Sequence, residues 1–138
     1  MQKLTIRTTS TSYPIYIEAN LLDQVAHFSP HIKGKRVMII TNETVAPLYL
    51  ERIRNTLSSY HCEHLILPDG EQHKNLTHFT HIIDQLIEGD FPRDTTLIAL
   101  GGGVICDLTG FAAACYMRGI DVIHIPTTLL AQVDASVG

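Results

Sequence analysis

The sequence contains no tryptophan, only three cysteines and no hydrophobic run longer than about seven residues. A membrane-spanning helix needs about 20 apolar residues in succession, so the sequence indicates no membrane span. Residues 1–7 alternate polar and apolar side chains, whereas a secretory signal has a basic start followed by an apolar core. We therefore expect a cytoplasmic protein with no membrane partner.

Neither the cysteines nor the charged residues suggest a specialised class of protein. Cys62, Cys106 and Cys115 cannot all pair, and no two of them have CxxC spacing, so we expect reduced thiols that behave as small apolar residues. The ten Lys and Arg residues form no run, and the formal net charge is −4. This charge distribution disfavours nucleic acid as a partner.

The length and composition are those of a single folded domain. The chain has 138 residues, of which 45% are hydrophobic and 17% are charged. A chain of this length buries roughly 68–70% of its unfolded surface, so it needs no metal or disulfide to fold.

Hydrophobic periodicity predicts an α/β fold, with a Rossmann-like parallel sheet covered by helices on both faces. An antiparallel hairpin comes first, and a short helix follows it, capped by Asn20 and ended by Pro30. The predicted hairpin strands are residues 3–8 and 13–19; the later strands are 36–41, 63–67, 95–100 and 121–125; the later helices are 44–60, 75–88, 104–117 and 128–137.

The last predicted helix has only a little over two turns before Gly138. Gly138 could cap that helix and end the domain. Since so short a helix would be weakly anchored, we expect instead that residues 1–138 are a fragment, namely an N-terminal domain.

Three glycines between a predicted strand and a predicted helix form the most distinctive feature. Gly101 and Gly103 occupy two positions of a GxGxxG pattern, and Cys106 occupies the third. Glycines let the backbone approach a ligand closely, and the N–H groups at a helix start favour a pyrophosphate. The pattern alone is weak, but its position at the carboxyl end of a strand favours phosphate binding over a simple tight turn.

Other polar residues near the predicted strand ends have two interpretations each. Residues 69–74 (Asp-Gly-Glu-Gln-His-Lys) could bind ribose hydroxyls or an anion, or form a polar turn before an Asn75 cap. Asn42 could face a ribose or cap a helix. From pattern alone, we expect structural roles for Asp107 and Arg118, because each has the charge that stabilises its end of a helix. Asp134 lies either on a solvated face of its helix or in a site.

Eight histidines are many for this length, yet we predict no metal site among them. His78, His81 and Asp84 have helical spacing, but the apolar stripe of that helix lies elsewhere, which favours a solvated face. His124 lies in a predicted buried strand, where we expect a core histidine with a backbone partner.

The motifs at the strand ends resemble the N-terminal part of 3-dehydroquinate synthases, members of the sugar phosphate cyclase superfamily. The resemblance rests on segments 41–49 (Thr-Asn-Glu-Thr-Val-Ala-Pro-Leu-Tyr), 67–72 (Leu-Pro-Asp-Gly-Glu-Gln), 100–113 (beginning Leu-Gly-Gly-Gly-Val-Ile-Cys-Asp), 116–119 (Tyr-Met-Arg-Gly) and 126–138. These segments occur in the family's order and cover most of the chain from residue 36 onward.

The resemblance implies an enzyme of the shikimate pathway, which leads to aromatic amino acids. Such an enzyme is a lyase that converts 3-deoxy-arabino-heptulosonate 7-phosphate into 3-dehydroquinate and phosphate. NAD+ transiently oxidises the C5 hydroxyl, phosphate leaves by β-elimination, the hydride returns, and an intramolecular aldol step closes the carbocycle. A zinc or cobalt ion polarises the oxygen that is oxidised.

The resemblance also assigns roles to particular residues. Arg118 and Asp134 would contact the substrate as catalytic residues. The NAD contacts would be Asn42, Asp69, Gly70, Glu71, Gln72, His73, Lys74, Gly102, Gly103, Val104, Ile105, Cys106, Asp107, Thr127 and Thr128.

The sequence departs from the family pattern in two places, and part of the pattern is missing. Asn42 stands where the family often has Asp, and an amide is the weaker partner for a ribose hydroxyl. Cys106 stands where glycine is usual. The family motif continues after Gly138 with Gly-Lys-Thr, and the metal ligands, one Glu and two His, belong to its C-terminal half. We therefore expect the chain alone to be inactive.

Several alternatives stay open. The parent could be another sugar phosphate cyclase, such as a 2-deoxy-scyllo-inosose synthase, whereas segment 126–138 disfavours the iron- or zinc-dependent polyol dehydrogenases. The chain could also be a non-catalytic NAD-binding module. The N-terminal strands could pair with a second subunit in a homodimer, or be capped within the chain.

Overall fold

A four-stranded parallel sheet forms the centre of the computed structural model, which describes residues 1–137. Its strands are β3 (Arg36–Asn42), β4 (His61–Leu67), β5 (Thr96–Gly101) and β6 (Asp121–Pro126), in the order β4-β3-β5-β6. A separate antiparallel hairpin consists of β1 (Gln2–Arg7) and β2 (Ser12–Ile17). The predicted α/β class with an N-terminal hairpin is confirmed.

Helices cover both faces of the sheet and define two cores. On one face, α1 (Ala46–Thr56) packs against β3 and β5 through Ile53, which is fully buried. On the other face, α2 (Leu76–Glu88) and α3 (Gly103–Cys115) bury a second apolar cluster. Every residue of β5 is buried, as expected for a central parallel strand.

The strand order reverses between β3 and β5. From β3 the chain passes through α1 to β4 on one side, then crosses through α2 to β5 on the other side. The carboxyl ends of β3 and β5 therefore flank a topological switch point, where ligands bind in open α/β sheets. Asn42 and Gly101 are the last residues of these two strands.

The predicted helix after Asn20 is wrong. Three consecutive 3₁₀ turns take its place, over Leu21–Asp23, Val25–His27 and Ser29–His31. Asn20 adopts a left-handed conformation with φ of 61° and makes no side-chain cap. Gln24 is extended, with φ of −115° and ψ of 96°, and this residue interrupts any continuous α-helix.

Three further helices are shorter than the sequence predicts. Helix α1 begins at Ala46 because the Asn42 side chain accepts hydrogen bonds from the two preceding backbone N–H groups. Helix α3 ends at Cys115, before a 3₁₀ turn over Tyr116–Arg118. The last helix, α4 (Leu129–Val133), has only five residues. The predicted cap at Gly138 lies outside the described residues.

None of the helices in residues 1–137 is both long and apolar enough to cross a membrane.

Candidate functional site

The carboxyl edge of the sheet brings together most of the residues that the resemblance assigns to NAD. Asn42 ends β3, Asp69 follows β4, and the glycine turn follows β5. Thr127 follows β6, and its N–H donates to the Gly101 carbonyl over 2.9 Å. Because the strands are parallel, their neighbouring carboxyl ends place these four segments along one rim.

The three glycines of the turn are not equivalent. A Cβ at Gly101 would lie 2.8 Å from the Cβ of Ile105, and one at Gly102 would lie 3.2 Å from the Cγ2 of Thr128. Packing within the protein therefore accounts for both glycines. Among the described residues, a Cβ at Gly103 would meet the Ala135 Cβ at 4.0 Å, which is an ordinary van der Waals contact. Packing within residues 1–137 therefore does not require a glycine at this position.

Helix α3 begins in this turn without a side-chain cap. Its first helical hydrogen bond runs from the Cys106 N–H to the Gly102 carbonyl over 3.0 Å. The N–H groups of Gly103, Val104 and Ile105 come before this bond and have no partner inside the helix. With the dipole of a 13-residue helix behind them, they form an electropositive end at the glycine turn.

Asp69 is held in place by three residues at the end of β3. Asn42 Nδ2 donates to Asp69 Oδ1 over 3.3 Å, and Thr44 Oγ1 donates to Asp69 Oδ2 over 2.8 Å. The Asp69 N–H donates to Glu43 Oε1 over 3.3 Å. The Asp69 carboxylate stays exposed and oriented at the rim.

Asn42 orients Asp69 and also shapes the start of α1. Its Oδ1 accepts from the N–H groups of Thr44 and Val45, over 3.0 and 2.8 Å. The side chain is buried, and it stabilises the local turn and supports a rim carboxylate, whereas the cap residue of α1 is Val45. A contact between Asn42 and a ribose stays a prediction. Sequence reasoning did not single out Glu43 and Thr44, although both stand directly after β3.

The loop after β4 carries an ammonium group to the start of α3. Lys74 Nζ lies 2.6 Å from Asp107 Oδ2 and 3.7 Å from Glu71 Oε1. The hydrogen bond that Lys74 donates to Asp107 raises the pKa of Lys74 above its ordinary value. Gly70 has φ of +127°, a conformation that favours glycine and lets the loop turn towards the 3₁₀ turn Glu71–His73.

Asn75 caps α2 as predicted, because its side chain accepts from the His78 N–H over 3.0 Å. The His73 and His78 rings meet edge to face at 4.9 Å. Gln72 is exposed in the same loop.

Cys106 is buried beneath the glycine turn, with its Sγ 3.8 Å from the Gly101 carbonyl oxygen. Burial raises the pKa of this thiol to about 11, with a further contribution from the neighbouring Asp107 carboxylate. The side chain thus fills the third glycine position as a small neutral group. The sequence predicts Asp107 within the first turn of the helix. In the structure it is the fifth residue of α3 and lies just after the first turn.

Thr128 and Asp134 flank the two ends of α4, the helix that follows β6. The Thr128 Oγ1 accepts from the Ala131 N–H over 3.1 Å and so caps the helix. Asp134 ends the helix and is exposed, and within residues 1–137 its carboxylate has neither a hydrogen bond nor an ion pair.

The structure does not bring Arg118 to this rim. Arg118 follows the far end of α3, and a 13-residue helix is about 20 Å long. It does not end α3 either, because α3 stops at Cys115 and Arg118 ends the following 3₁₀ turn, where φ is 45° at Met117 and 64° at Arg118. The predicted helix-dipole role is therefore wrong, and the guanidinium is exposed at the opposite edge of the sheet.

The prediction for His124 needs a correction. The residue is half-buried on β6, and within residues 1–137 its buried Nδ1 has no hydrogen-bond partner, so the expected backbone partner is absent there. Its ring packs beneath α3, where a Cβ at Gly110 would lie 3.6 Å from His124 Cε1. Burial lowers the pKa of His124, and the Asp107 carboxylate opposes this shift.

Metal-ligating side chains are scattered over the part of the chain that the structure describes. No three His, Cys, Asp or Glu residues in positions 1–137 come close enough together to hold a metal ion.

Comparison with known proteins identifies the family. Residues 64–138 match the family model described as "3-dehydroquinate synthase N-terminal". The chain belongs to the 3-dehydroquinate synthase family. A 3-dehydroquinate synthase of Pseudomonas fluorescens is 56% identical over 138 residues, covering 100% of this chain and 38% of that protein. One from Colwellia psychrerythraea is 58% identical over 127 residues, covering 92% of this chain and 36% of that protein.

Solved structures of sugar phosphate cyclases share the fold of this 3-dehydroquinate synthase family member. A 2-deoxy-scyllo-inosose synthase in complex with carbaglucose-6-phosphate, NAD+ and Co2+ is 24% identical, with a TM-score of 0.89 over 97% of this chain and 38% of that one. The 2-epi-5-epi-valiolone synthase of Streptomyces hygroscopicus, with NAD+ and Zn2+ bound, is 28% identical, with a TM-score of 0.80 over 96% of this chain and 37% of that one. The chain thus spans little more than a third of these relatives.

Proposed function

We propose that this chain is the NAD-binding part of a 3-dehydroquinate synthase. The observation that carries the proposal is the glycine turn at the switch point of the sheet, where Gly103 begins α3 and the first N–H groups of that helix have no partner inside it. Six curated relatives, all named 3-dehydroquinate synthase, are 51–58% identical to the chain, which supports the same reading. The complete protein would convert 3-deoxy-arabino-heptulosonate 7-phosphate into 3-dehydroquinate and phosphate.

The residues at the rim fit NAD. The N–H groups of Gly103, Val104 and Ile105 suit the pyrophosphate, and Asp69 offers a carboxylate to a ribose hydroxyl. When bound, NAD+ would supply the chemistry of accepting a hydride from the substrate and returning it. Both named cyclase structures contain NAD+, which supports this assignment.

The chain's own groups divide into those that would contact the cofactor and those that orient them. Asn42 and Thr44 hold Asp69, so their hydrogen bonds fix the acceptor before the cofactor arrives. Asp107 holds the Lys74 ammonium near the start of α3, where it can contact an anionic or carbonyl oxygen. Asp134 is the exposed carboxylate that would meet the substrate.

A metal does not fit the residues described here. With no group of three potential ligands in residues 1–137, a zinc or cobalt ion would need ligands from outside this chain. We accordingly propose that residues 1–138 are an N-terminal domain that does not catalyse the reaction alone.

A homodimer is a further part of the proposal. Strand β1 is exposed along almost its whole length, and an unpaired strand edge can accept a second chain. Arg118 also favours this arrangement. Helix α3 separates Arg118 from the glycine turn of its own chain. An Arg118 that binds substrate therefore has to reach a different site, and the site of a second copy would supply it.

The cytoplasmic location is proposed on the sequence argument alone.

Phosphate release by the complete protein tests the proposal. The protein is incubated with NAD+, zinc and 3-deoxy-arabino-heptulosonate 7-phosphate, and inorganic phosphate is measured. The expected result is phosphate release that requires NAD+. Release from glucose 6-phosphate, the natural counterpart of the carba-analogue in the 2-deoxy-scyllo-inosose synthase structure, would favour that other cyclase. NAD+ binding without release from either substrate would indicate a non-catalytic module.

A further inference from the structure

Three consecutive residues after α3 have left-handed backbone conformations. The φ angles are 45° at Met117, 64° at Arg118 and 110° at Gly119. Only glycine adopts such angles without a steric cost, so the surroundings must hold Met117 and Arg118 in place. Strained backbone of this kind is concentrated at active sites, ligand clamps and switch regions.

Tyr116 anchors the strained turn on its N-terminal side. Only 5% of this residue is exposed, and its hydroxyl donates to the Phe91 carbonyl over 2.6 Å and lies 3.3 Å from the Leu86 carbonyl. The turn is closed by the Gly119 N–H, which donates to the Tyr116 carbonyl over 2.8 Å. Tyr116 therefore connects the left-handed segment to the end of α2.

The acceptor of the Tyr116 hydroxyl is itself fixed from the other side. The Arg36 guanidinium lies over the Phe91 ring at 3.7 Å, and its Nη1 donates to the Gly89 carbonyl over 2.6 Å. Its Nη2 donates to Glu63 over 2.8 Å. The anchor of Tyr116 thus extends to β3 and β4, so the phenol is tied to the rigid sheet.

Arg118 emerges from this anchored turn with its donors available. It is exposed, and within residues 1–137 its guanidinium has neither an ion pair nor a hydrogen bond. A guanidinium suits an oxyanion because its donors form a planar fork. The turn therefore fixes the backbone from which the Arg118 side chain extends, and within residues 1–137 the guanidinium keeps its fork of donors unpaired.

We propose that Tyr116 is a positioning residue that holds the left-handed turn and thereby aims Arg118 at the anionic group of the substrate. This inference rests on the proposed function, in which Arg118 binds the substrate. Because the backbone at Arg118 is held before substrate binds, less backbone freedom is lost on binding and the contact contributes more affinity. The phosphate and carboxylate charges of the substrate are present before reaction, so loosening the turn should raise KM more than it lowers kcat.

A double-mutant cycle in the complete protein tests this inference. The variants are Tyr116→Phe, Arg118→Ala and the double variant, and phosphate release from 3-deoxy-arabino-heptulosonate 7-phosphate gives KM and kcat. We expect Tyr116→Phe to raise KM about 3- to 10-fold, with kcat changed by less than about twofold. In the Arg118→Ala background, the same change should leave KM within about 1.5-fold, because Arg118 is no longer there to be positioned.

Ile53→Val is the matched control, because it weakens the core on the other face of the sheet without touching the turn. It should lower thermal stability while leaving KM unchanged. An equal KM effect of Tyr116→Phe with and without Arg118, or no effect in either background, overturns the inference. If the unaltered protein releases no phosphate, the proposed function fails first, and the role of Tyr116 fails with it.

Discussion

The Lys74 ammonium lies 2.6 Å from the Asp107 carboxylate, and this ion pair ties the loop after β4 to the start of α3. The side chains are 40% and 43% exposed, so the pair adds only about 0–1 kcal/mol to stability. Its larger consequence is geometric, because it fixes a positive charge beside the turn that we assign to the pyrophosphate.

Replacing Asp107 by Asn should release Lys74 while keeping the shape of the side chain. We expect the Kd for NAD+ to rise about 3- to 10-fold, or roughly 0.6–1.4 kcal/mol. Isothermal titration calorimetry on the complete protein measures this change. Glu51→Gln, which removes a remote exposed pair with Arg54, is the control and should leave the Kd unchanged. Equal affinities for Asp107→Asn and the unaltered protein would remove Asp107 from the site.

The pH dependence of this pair follows from the raised pKa of Lys74. At any pH below the ordinary lysine pKa of 10.5, Lys74 is protonated and keeps its ion pair with Asp107. The ion pair is lost only as the pH rises through the raised pKa of Lys74. The Lys74 contribution to NAD+ affinity should therefore stay constant between pH 7 and pH 9. An affinity difference between Asp107→Asn and the unaltered protein that disappears within this range would contradict the assignment.

Most of the fold could be predicted from the sequence because its parallel strands are short apolar runs and its helices carry continuous apolar stripes. The helix predicted after Asn20 was wrong for a local reason. Leu21, Leu22, Val25 and Phe28 have helical spacing, but the extended Gln24 divides the segment into 3₁₀ turns whose N–H groups bond three residues back. Hydrophobic spacing does not distinguish these turns from a helix.

The candidate site could be predicted as a set of segments but not as a set of contacts. Parallel topology alone brings Asn42, Asp69 and the glycine turn to one rim. The pairing of Lys74 with Asp107, and of Thr44 with Asp69, depends on how side chains from distant segments pack. The location of Arg118 could not be predicted in this way either. The position of α3 in the structure shows that Arg118 lies at the opposite edge of the sheet from the glycine turn.

His124 should make stability depend on pH. Burial lowers the pKa of His124 in the folded state, so the unfolded chain binds the proton more readily. The resulting stabilisation is fully present above the unfolded value of 6.5 and is lost as the pH falls through the lower folded value. Thermal unfolding of His124→Gln should show a smaller loss of Tm on acidification from pH 7. Parallel Tm profiles for the two proteins would contradict this account.

Cys106 and Cys115 should differ in reactivity. Burial raises the pKa of Cys106 to about 11, so almost none of it is thiolate at pH 7.5, whereas Cys115 is exposed. Iodoacetamide should label Cys115 in the native protein and Cys106 only after unfolding, as read by peptide mass spectrometry. Labelling of native Cys106 as fast as Cys115 would show that the glycine turn opens readily.

The central claim is that the cofactor binds against the glycine turn at Gly103, and Gly103→Ala tests it most directly. Within residues 1–137, a Cβ there would make only an ordinary contact, with Ala135 at 4.0 Å, so the Tm should be unchanged or slightly higher. Gly110→Ala, a second substitution in α3, is the matched control, since its Cβ would make an ordinary contact with His124. Calorimetric titration with NAD+ should show at least about a tenfold weaker Kd for Gly103→Ala, or roughly 1.4 kcal/mol, and an unchanged Kd for Gly110→Ala. NAD+ binding to Gly103→Ala with the affinity of the unaltered protein would contradict the account.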